Sequence, residues 1–182
     1  MRAALRYVAV LAVLLLTAGL AHARPVSEAE REALVQTVDD FNAAMAAGDY
    51  QRLVDTVPPR VVEHIAKQAN VDAEMLRKVM LEQITQAMAS VKIDAFAMDM
   101  DAASDHELPG GEPYALIPTR TVMDTGASGK FEARSDTLAF LDEGTWYLVR
   151  VSEADQVKIL REVYPEFAAV EFAAGTMEAV QP

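Results

Sequence analysis

The spacing of apolar residues changes once along the chain, near Val91, and this change constrains the fold more than any other feature of the sequence. Before it, apolar residues recur every three or four positions, as they do on one face of an α-helix. After it come four runs rich in β-branched and aromatic residues, at 91–102, 114–123, 131–141 and 146–151. The connections between the runs are too short for parallel crossovers, so neighbouring strands must run antiparallel. The sequence therefore predicts an α+β fold, with N-terminal helices on one face of a twisted four-stranded antiparallel sheet.

Capping and stop signals divide the N-terminal half into helices. Ser27 and Glu30 match a capping box, and apolar residues at helical spacing follow as far as Gly48-Asp49. The Gly48-Asp49 pair is typical of a corner between two helices, and Pro58-Pro59 ends the short second helix. A third helix is predicted from Arg60 to Asn70.

A fourth helix is capped by Asp72, and a C-terminal helix follows the sheet and ends at Pro165. The tail at 167–182 shows no clear period, and we assign no element to it. The helical and strand phases predict that the following side chains are mostly buried: Phe41, Met45, Leu76, Met80, Ile84, Trp146 and Leu148.

Residues 1–23 have the three parts of a cleavable secretory signal. A short basic start precedes an apolar run at 7–20, and Ala21-His22-Ala23 supplies the small residues that precede a cleavage site. The run is shorter than the ~20 apolar residues that a membrane-spanning helix needs. We therefore expect cleavage between Ala23 and Arg24, no membrane anchor afterwards, and one mature domain over 24–182 in the periplasm or outside the cell.

Composition excludes several classes of function. Twenty-eight Asp and Glu residues face sixteen Lys and Arg, and this acidic balance argues against binding nucleic acid or anionic lipid surfaces. The chain has no cysteine, so it contains neither disulfides, nor a thiol nucleophile, nor a zinc ribbon. It also lacks a phosphate-binding loop, a zinc-protease helix and a nucleophile elbow. No cofactor is predicted.

Two stretches resemble the NTF2-like superfamily, which includes SnoaL-like proteins and ketosteroid isomerases. One is Phe41-Asn42-Ala43-Ala44-Met45-Ala46-Ala47-Gly48-Asp49 with the following Leu53-Val54, which is similar to the family's first helix and its corner. The other is Gly144-Thr145-Trp146-Tyr147-Leu148-Val149, which is similar to a late family strand. The resemblance implies a curved sheet folded around helices as a cone, with an apolar pocket at the wide end.

The resemblance implies no single activity, and two departures disfavour the isomerase reaction. Phe41 stands where the isomerases carry the tyrosine of their oxyanion hole, and phenylalanine has no hydroxyl to donate. The family's catalytic carboxylate follows the second helix, near Glu63 and His64, where this chain has no aspartate. In such a cone, Phe41, Thr119, Thr121 and Asp136 are the predicted ligand-pocket residues.

Other residues suggest chemistry but have simpler explanations. His64 has a suitable intrinsic pKa for a general base, yet its neighbours Arg60 and Lys67 indicate a solvated helix face. The paired Met98 and Met100 suit copper(I), but they also share a strand face with Phe96 as core residues do. A mainly acidic cluster runs off the end of the first strand but lacks the spacing of a calcium loop, so no metal site is predicted from its members: Asp99, Asp101, Asp105, His106 and Glu107.

The sequence thus favours an exported, non-catalytic domain that binds a small apolar ligand or a protein partner. The alternative is a pocket enzyme of the isomerase or hydrolase type, with His64 or Glu63 as its general base. A third reading is a structural domain that forms a homodimer through an open sheet edge or face.

Overall fold

The computed structural model describes residues 26–180, apart from the side chain of Ala127. The predicted signal peptide and its cleavage site at Ala23 and Arg24 lie outside the described residues. Helices in the described part are α1 Glu28–Ala47, α2 Tyr50–Asp55, α3 Pro59–Ala69, α4 Ala73–Met88 and α5 Ala154–Val163. Strands are β1 Lys92–Met98, β2 Ser104–Glu107, β3 Pro113–Asp124, β4 Lys130–Asp142, β5 Thr145–Arg150 and β6 Thr176–Ala179. Short 3₁₀ turns cover Gly126–Ser128 and Pro165–Phe167.

The predicted helix signals act as expected. Ser27 and Glu30 form a reciprocal capping box, in which the Glu30 amide donates to the Ser27 hydroxyl over 3.3 Å. Gly48 ends α1 in the left-handed region at φ 67°, which glycine adopts without steric penalty. The Asp72 carboxylate caps α4 by accepting a 2.7 Å hydrogen bond from the Met75 amide. These three predictions are confirmed. Such signals can be predicted from the sequence because a helix cap depends only on residues that are neighbours along the chain.

The antiparallel sheet curls into a half-barrel, with its main path in the order β1-β3-β4-β5. The predicted first strand, 91–102, is too long, because the chain leaves the ladder after Met98. The Asp99 carboxylate accepts hydrogen bonds from the amides of Asp101 and Ala102, both at 3.1 Å, and so turns the backbone. Strand β2 then resumes pairing along β3, from Ser104 opposite Leu116.

The opposite edge is also built from two strands. Strand β5 covers β4 only from Thr137 to Asp142, and β6 pairs with the remainder from Phe131 to Arg134. The prediction of four strands is therefore wrong in number, since two short strands complete the two edges. Between β5 and β6 the chain leaves this edge of the sheet and forms α5.

Both faces of the sheet are buried, in contrast to the one-faced packing predicted from the sequence. On one face α1 covers the sheet, and the Trp146 indole donates to the Glu30 carbonyl at 2.8 Å. This first core contains Leu34, Val38, Met98, Ala115, Ile117, Ala139, Trp146 and Leu148. On the other face α5 and the 3₁₀ turn that follows it form a second core, with Leu108, Tyr114, Leu138, Phe140, Val151, Leu160, Val163, Tyr164 and Phe167.

The predicted core residues are buried on the sheet and only half-buried on the helices. Trp146 and Leu148 are buried as predicted. The other five residues expected in the core are only half-buried, which corrects that prediction: Phe41, Met45, Leu76, Met80 and Ile84. Three of them belong to α4, which packs against α2 and α3 and has no fully buried residue. Within residues 26–180, no helix combines the length and apolar character needed to cross a membrane.

Candidate functional site

An apolar groove runs between α2 and α4. Its volume is about 410 Å³, and six of its seven lining residues are apolar. The lining is Leu53 and Val54 from α2, Val57 from the connection after it, and Met80, Gln83, Ile84 and Ala87 from α4. No charged side chain is part of this lining.

The groove exists because α2 is too short to cover the apolar arc of α4. Helix α2 has six residues, and it buries Leu53 and Val54 against the body of the domain. Arg77 fastens α4 to it by donating to the Val54 carbonyl at 3.1 Å. Helix α4 has sixteen residues, and its apolar positions extend over well more than one face of the helix. Part of the apolar surface of α4 is therefore left uncovered beside α2.

A larger cleft of about 580 Å³ lies between α5 and the extended segment 171–174. Its lining has five charged residues of both signs: Glu153, Lys158, Arg161, Glu162 and Glu171. Arg161 is already used to hold the chain, because it donates to the Val170 carbonyl at 2.7 Å and the Phe167 carbonyl at 3.3 Å. Although this cleft is larger, the charges that line it have both signs, and Arg161 is already bound to backbone carbonyls of the protein.

A third cleft, of about 370 Å³, lies over the sheet beside Arg120, Arg134 and Asp136. Both arginines bind Glu132, with Arg120 Nε at 3.0 Å and Arg134 Nε at 2.6 Å from its oxygens. Arg120, and secondarily Arg134, hold the pKa of Glu132 below its ordinary value. The cations at this cleft are thus paired with a carboxylate of the protein itself.

Of the four predicted pocket residues, Thr119 and Asp136 both line the third cleft, whereas Phe41 and Thr121 line none of the three clefts. Thr119 and Thr121 lie on the α1 face, where Phe41 packs on Phe96 with ring centroids 5.8 Å apart. The Thr119 hydroxyl is hydrogen-bonded to that of Thr137 at 2.7 Å. Asp136 is opposite Pro118 in the β3–β4 register, one residue out of phase with Thr119, so it belongs to the other face.

Neither of the predicted catalytic candidates lines one of the three clefts, although His64 contacts Glu162, which lines the cleft beside α5. His64 Nε2 is 3.1 Å from a Glu162 oxygen and 2.9 Å from the Gln68 amide nitrogen, so it donates to the first or accepts from the second according to its tautomer. Glu63 is exposed on the same helix. These contacts join α3 to α5 at the surface.

The acidic and methionine candidates have structural partners. Asp105 pairs with Arg31 at 2.6 Å, and His106 stacks on Tyr114 with ring centroids 5.1 Å apart. Met98 is buried, and Met100 packs against the first core. Among residues 26–180 no group of three or more histidines and carboxylates is arranged to hold a metal ion.

Sequence reasoning missed the groove, although it identified the apolar positions that line it. Leu53 and Val54 follow the predicted Gly48-Asp49 corner, and Met80 and Ile84 are among the predicted core residues. The signal that could have indicated the groove is the mismatch between a six-residue helix and a sixteen-residue helix with a broad apolar arc. Comparisons of the chain with protein-family models, with curated proteins and with solved structures returned no match.

Proposed function

We propose that this chain is an exported, non-catalytic domain that binds a small apolar ligand in the groove between α2 and α4. The observation that carries the proposal is the apolar lining, in which Gln83 is the one polar side chain. The volume of about 410 Å³ falls in the range of roughly 300–1,000 Å³ common for small-molecule pockets. Burial of apolar ligand surface here would contribute about 25 cal/mol per Å² without requiring a charged group to lose water.

The shape and size of the groove favour a small molecule over a protein. Protein–protein interfaces of standard size bury about 800 Å² on each partner, usually with a polar rim around an apolar centre. The groove between α2 and α4 offers a single concave strip formed by seven residues. Gln83, an exposed residue of the lining, supplies one amide that can orient a ligand with one polar end.

We further propose that the fold is a variant of the NTF2-like cone. In support, helices precede a curled antiparallel sheet, Gly48 and Asp49 form a corner between α1 and α2, and a tight turn at Gly144 leads into the Trp146 strand. The second core, built by α5 on the opposite face, is an addition to the simple cone that the resemblance implies.

Export rests on the sequence of residues 1–23. The basic start, the apolar run and the small residues before Arg24 are the three parts of a cleavable secretory signal. N-terminal sequencing of the protein recovered from its host should begin at Arg24. Recovery of a mature form that retains Met1 would contradict export by this route.

The enzymatic alternative has less support. A general base must reach the substrate proton, and neither His64 nor Glu63 is part of the groove. His64 is engaged by Glu162 and Gln68 instead. Phe41, the residue at the family's oxyanion-hole position, packs on Phe96.

The proposal is tested by filling the groove. Ala87 is an exposed groove residue, and Ala87→Phe adds an aromatic ring there without removing a core side chain. Affinity for the fluorescent apolar probe N-phenyl-1-naphthylamine should fall at least about tenfold, equivalent to about 1.4 kcal/mol. Ala33→Phe, at an exposed alanine of α1, is the matched control and should leave affinity unchanged.

Native mass spectrometry of the protein from its host complements the probe. A small-molecule adduct that is lost in Ala87→Phe supports the proposal. Equal probe affinity in both variants and the wild type would contradict it. Co-purification of a polypeptide that Ala87→Phe displaces would show a protein partner in the groove instead.

A further inference from the structure

The side chain of Gln83 lines the groove between α2 and α4 and has no hydrogen-bond partner within residues 26–180. Three other helical glutamines are each paired with a residue four positions away, over 2.9–3.1 Å: Gln36 with Asp40, Gln51 with Asp55 and Gln68 with His64. The positions four residues from Gln83 are Val79 and Ala87, which offer no polar side chain. The Gln83 amide is therefore available to a molecule in the groove.

The lining around Gln83 and its neighbours on the same side of α4 carry no charge. The other six lining residues are apolar, and the residues three positions away on α4 are Met80 and Gln86. The adjacent Glu82 is not part of the lining, and it is itself acidic. Toward Ala87 the groove approaches the C-terminal end of α4, which has no basic residue in its last turn. The terminal carbonyl groups of a helix give this end a partial negative charge, which disfavours an anion.

On the basis of the binding function proposed above, we propose that the ligand of the groove is an uncharged amphiphile with one hydrogen-bonding end, such as a medium-chain alcohol. Gln83 is the residue that selects it over a fatty-acid anion. A primary amide has both donors and an acceptor, and a hydroxyl group also donates and accepts, so the two can pair through both halves of the amide. A carboxylate only accepts and an ammonium only donates, so each leaves one half of the Gln83 amide unused.

An ionised end group in the groove would give up part of its hydration without gaining a counter-ion. Burial of a charge is unfavourable unless the charge is paired, and this lining has one neutral amide and six apolar side chains. A hydroxyl group has much less hydration to lose, and hydrogen bonds to Gln83 replace it. The discrimination against ions therefore comes from the missing counter-ion as well as from the Gln83 amide.

The size of the groove limits the apolar part of the ligand. Its volume of about 410 Å³ is near the lower end of the range for small-molecule pockets, which favours a medium-length chain over a long lipid. Suitable test ligands are 1-decanol, decanoate and decylammonium, because they share one alkyl chain and differ in the charge of the end group.

The test is competition of these three ligands with N-phenyl-1-naphthylamine at about pH 8, where decanoate is an anion and decylammonium a cation. In the wild type, 1-decanol should bind at least about tenfold more tightly than either ion. Gln83→Leu should weaken 1-decanol about threefold to tenfold relative to the probe, the loss expected for one hydrogen bond. Gln83→Lys supplies a counter-ion and should improve decanoate about fivefold relative to 1-decanol.

Gln86→Leu and Gln86→Lys are the matched controls, because Gln86 is an exposed glutamine of the same helix outside the lining. Both should keep the wild-type preference among the three ligands, and circular dichroism checks that each variant folds. An ion that competes as well as 1-decanol in the wild type, or Gln83 variants that change the preference no more than the Gln86 variants do, would overturn the ligand class.

The same experiment separates this outcome from a failure of the binding function itself. If the wild type binds the probe and Ala87→Phe weakens that binding, the groove is a binding site, whichever end group it prefers. A wild type that binds neither the probe nor 1-decanol would overturn both the binding function and the ligand class.

Discussion

Tyr164 joins three elements of the fold through one buried side chain. It is 1% exposed, and its hydroxyl donates a 2.7 Å hydrogen bond to the Asp142 carboxylate at the end of β4. The Arg60 guanidinium from α3 lies 4.4 Å over its ring and donates to the Val163 carbonyl at 3.0 Å. Burial, and then the bond to Asp142, raise the pKa of Tyr164 far above its ordinary value of 10.0. The tyrosine is therefore a permanent neutral donor that ties α3 and α5 to the sheet.

We expect Tyr164→Phe to lower the free energy of unfolding by about 1.5–3 kcal/mol, the usual range for a lost hydrogen bond to a charged group. The loss arises because Asp142, with a side chain 13% exposed, has one donor fewer. Tyr147→Phe, in the same core on β5, is the control and should cost less than half as much. Urea unfolding of both variants measures the difference. Equal losses of unfolding free energy would show that the Tyr164–Asp142 hydrogen bond contributes no more to stability than the hydroxyl of Tyr147 does.

Glu132 makes the stability of the folded protein depend on pH in the acidic range. Hydrogen bonds from Arg120 and then Arg134 lower its pKa from the ordinary value of 4.5 in the folded state. A carboxyl whose folded pKa is depressed stabilises the protein fully above its unfolded pKa, and this stability is lost as the pH falls through the folded pKa.

Glu132→Gln should therefore flatten the decline of the unfolding free energy below about pH 4.5. The exposed Glu166 provides the control substitution, Glu166→Gln. The measurement is urea unfolding at a series of pH values from neutral to strongly acid. If the wild type and Glu132→Gln lose stability in parallel over that range, the pairing with Arg120 and Arg134 contributes nothing to acid sensitivity.

Helices α1 and α4 show how much the sequence specifies at the scale of an element. Both have clear caps and apolar positions at helical spacing, and both were predicted correctly as helices. Their burial differs because α1 lies on the sheet, whereas α4 packs against the helices α2 and α3. Periodicity reports which side of a helix is apolar, but it does not report what covers that side. For this reason periodicity alone did not locate the groove.

Leucine truncation should separate the two helices. Leu34 on α1 is 0% exposed, and Leu34→Ala should lower the free energy of unfolding by about 2–5 kcal/mol, as expected for a filled core position. Leu76 on α4 is half-buried, and Leu76→Ala should cost about 1–2 kcal/mol, since less surface is lost and solvent can fill the space. Guanidinium unfolding of the two variants gives the comparison. A loss at Leu76 equal to that at Leu34 would mean that α4 is covered more fully than the structure shows.

For the whole molecule, local sequence patterns predict the fold class and the order of the main elements. The edge strands and the burial of both sheet faces depend on long-range pairing and were not predicted. The runs that became β3, β4 and β5 were visible because alternation and turn residues are local signals. Strand β6 was not, because the four residues Thr176–Ala179 are too few to establish an alternation, and the strand is fixed by its pairing with β4 from Phe131 to Arg134. The burial of the second face also depends on α5 packing against the sheet, and no local sequence pattern predicts that contact. Of the four predicted pocket residues, three lie on the α1 side and Asp136 lies on the other.

The most direct test of the proposed groove is a methyl NMR titration with N-phenyl-1-naphthylamine, whose aromatic rings shift the resonances of nearby methyl groups. The groove is well suited to it, because five lining residues carry methyl groups on branched or thioether side chains: Leu53, Val54, Val57, Met80 and Ile84. We expect these methyl resonances to shift together and saturably, while Leu34 and Val38 in the first core stay in place. Shifts confined to Val151 and Val157, which line the cleft beside α5, would contradict the assignment of the binding site to the groove between α2 and α4.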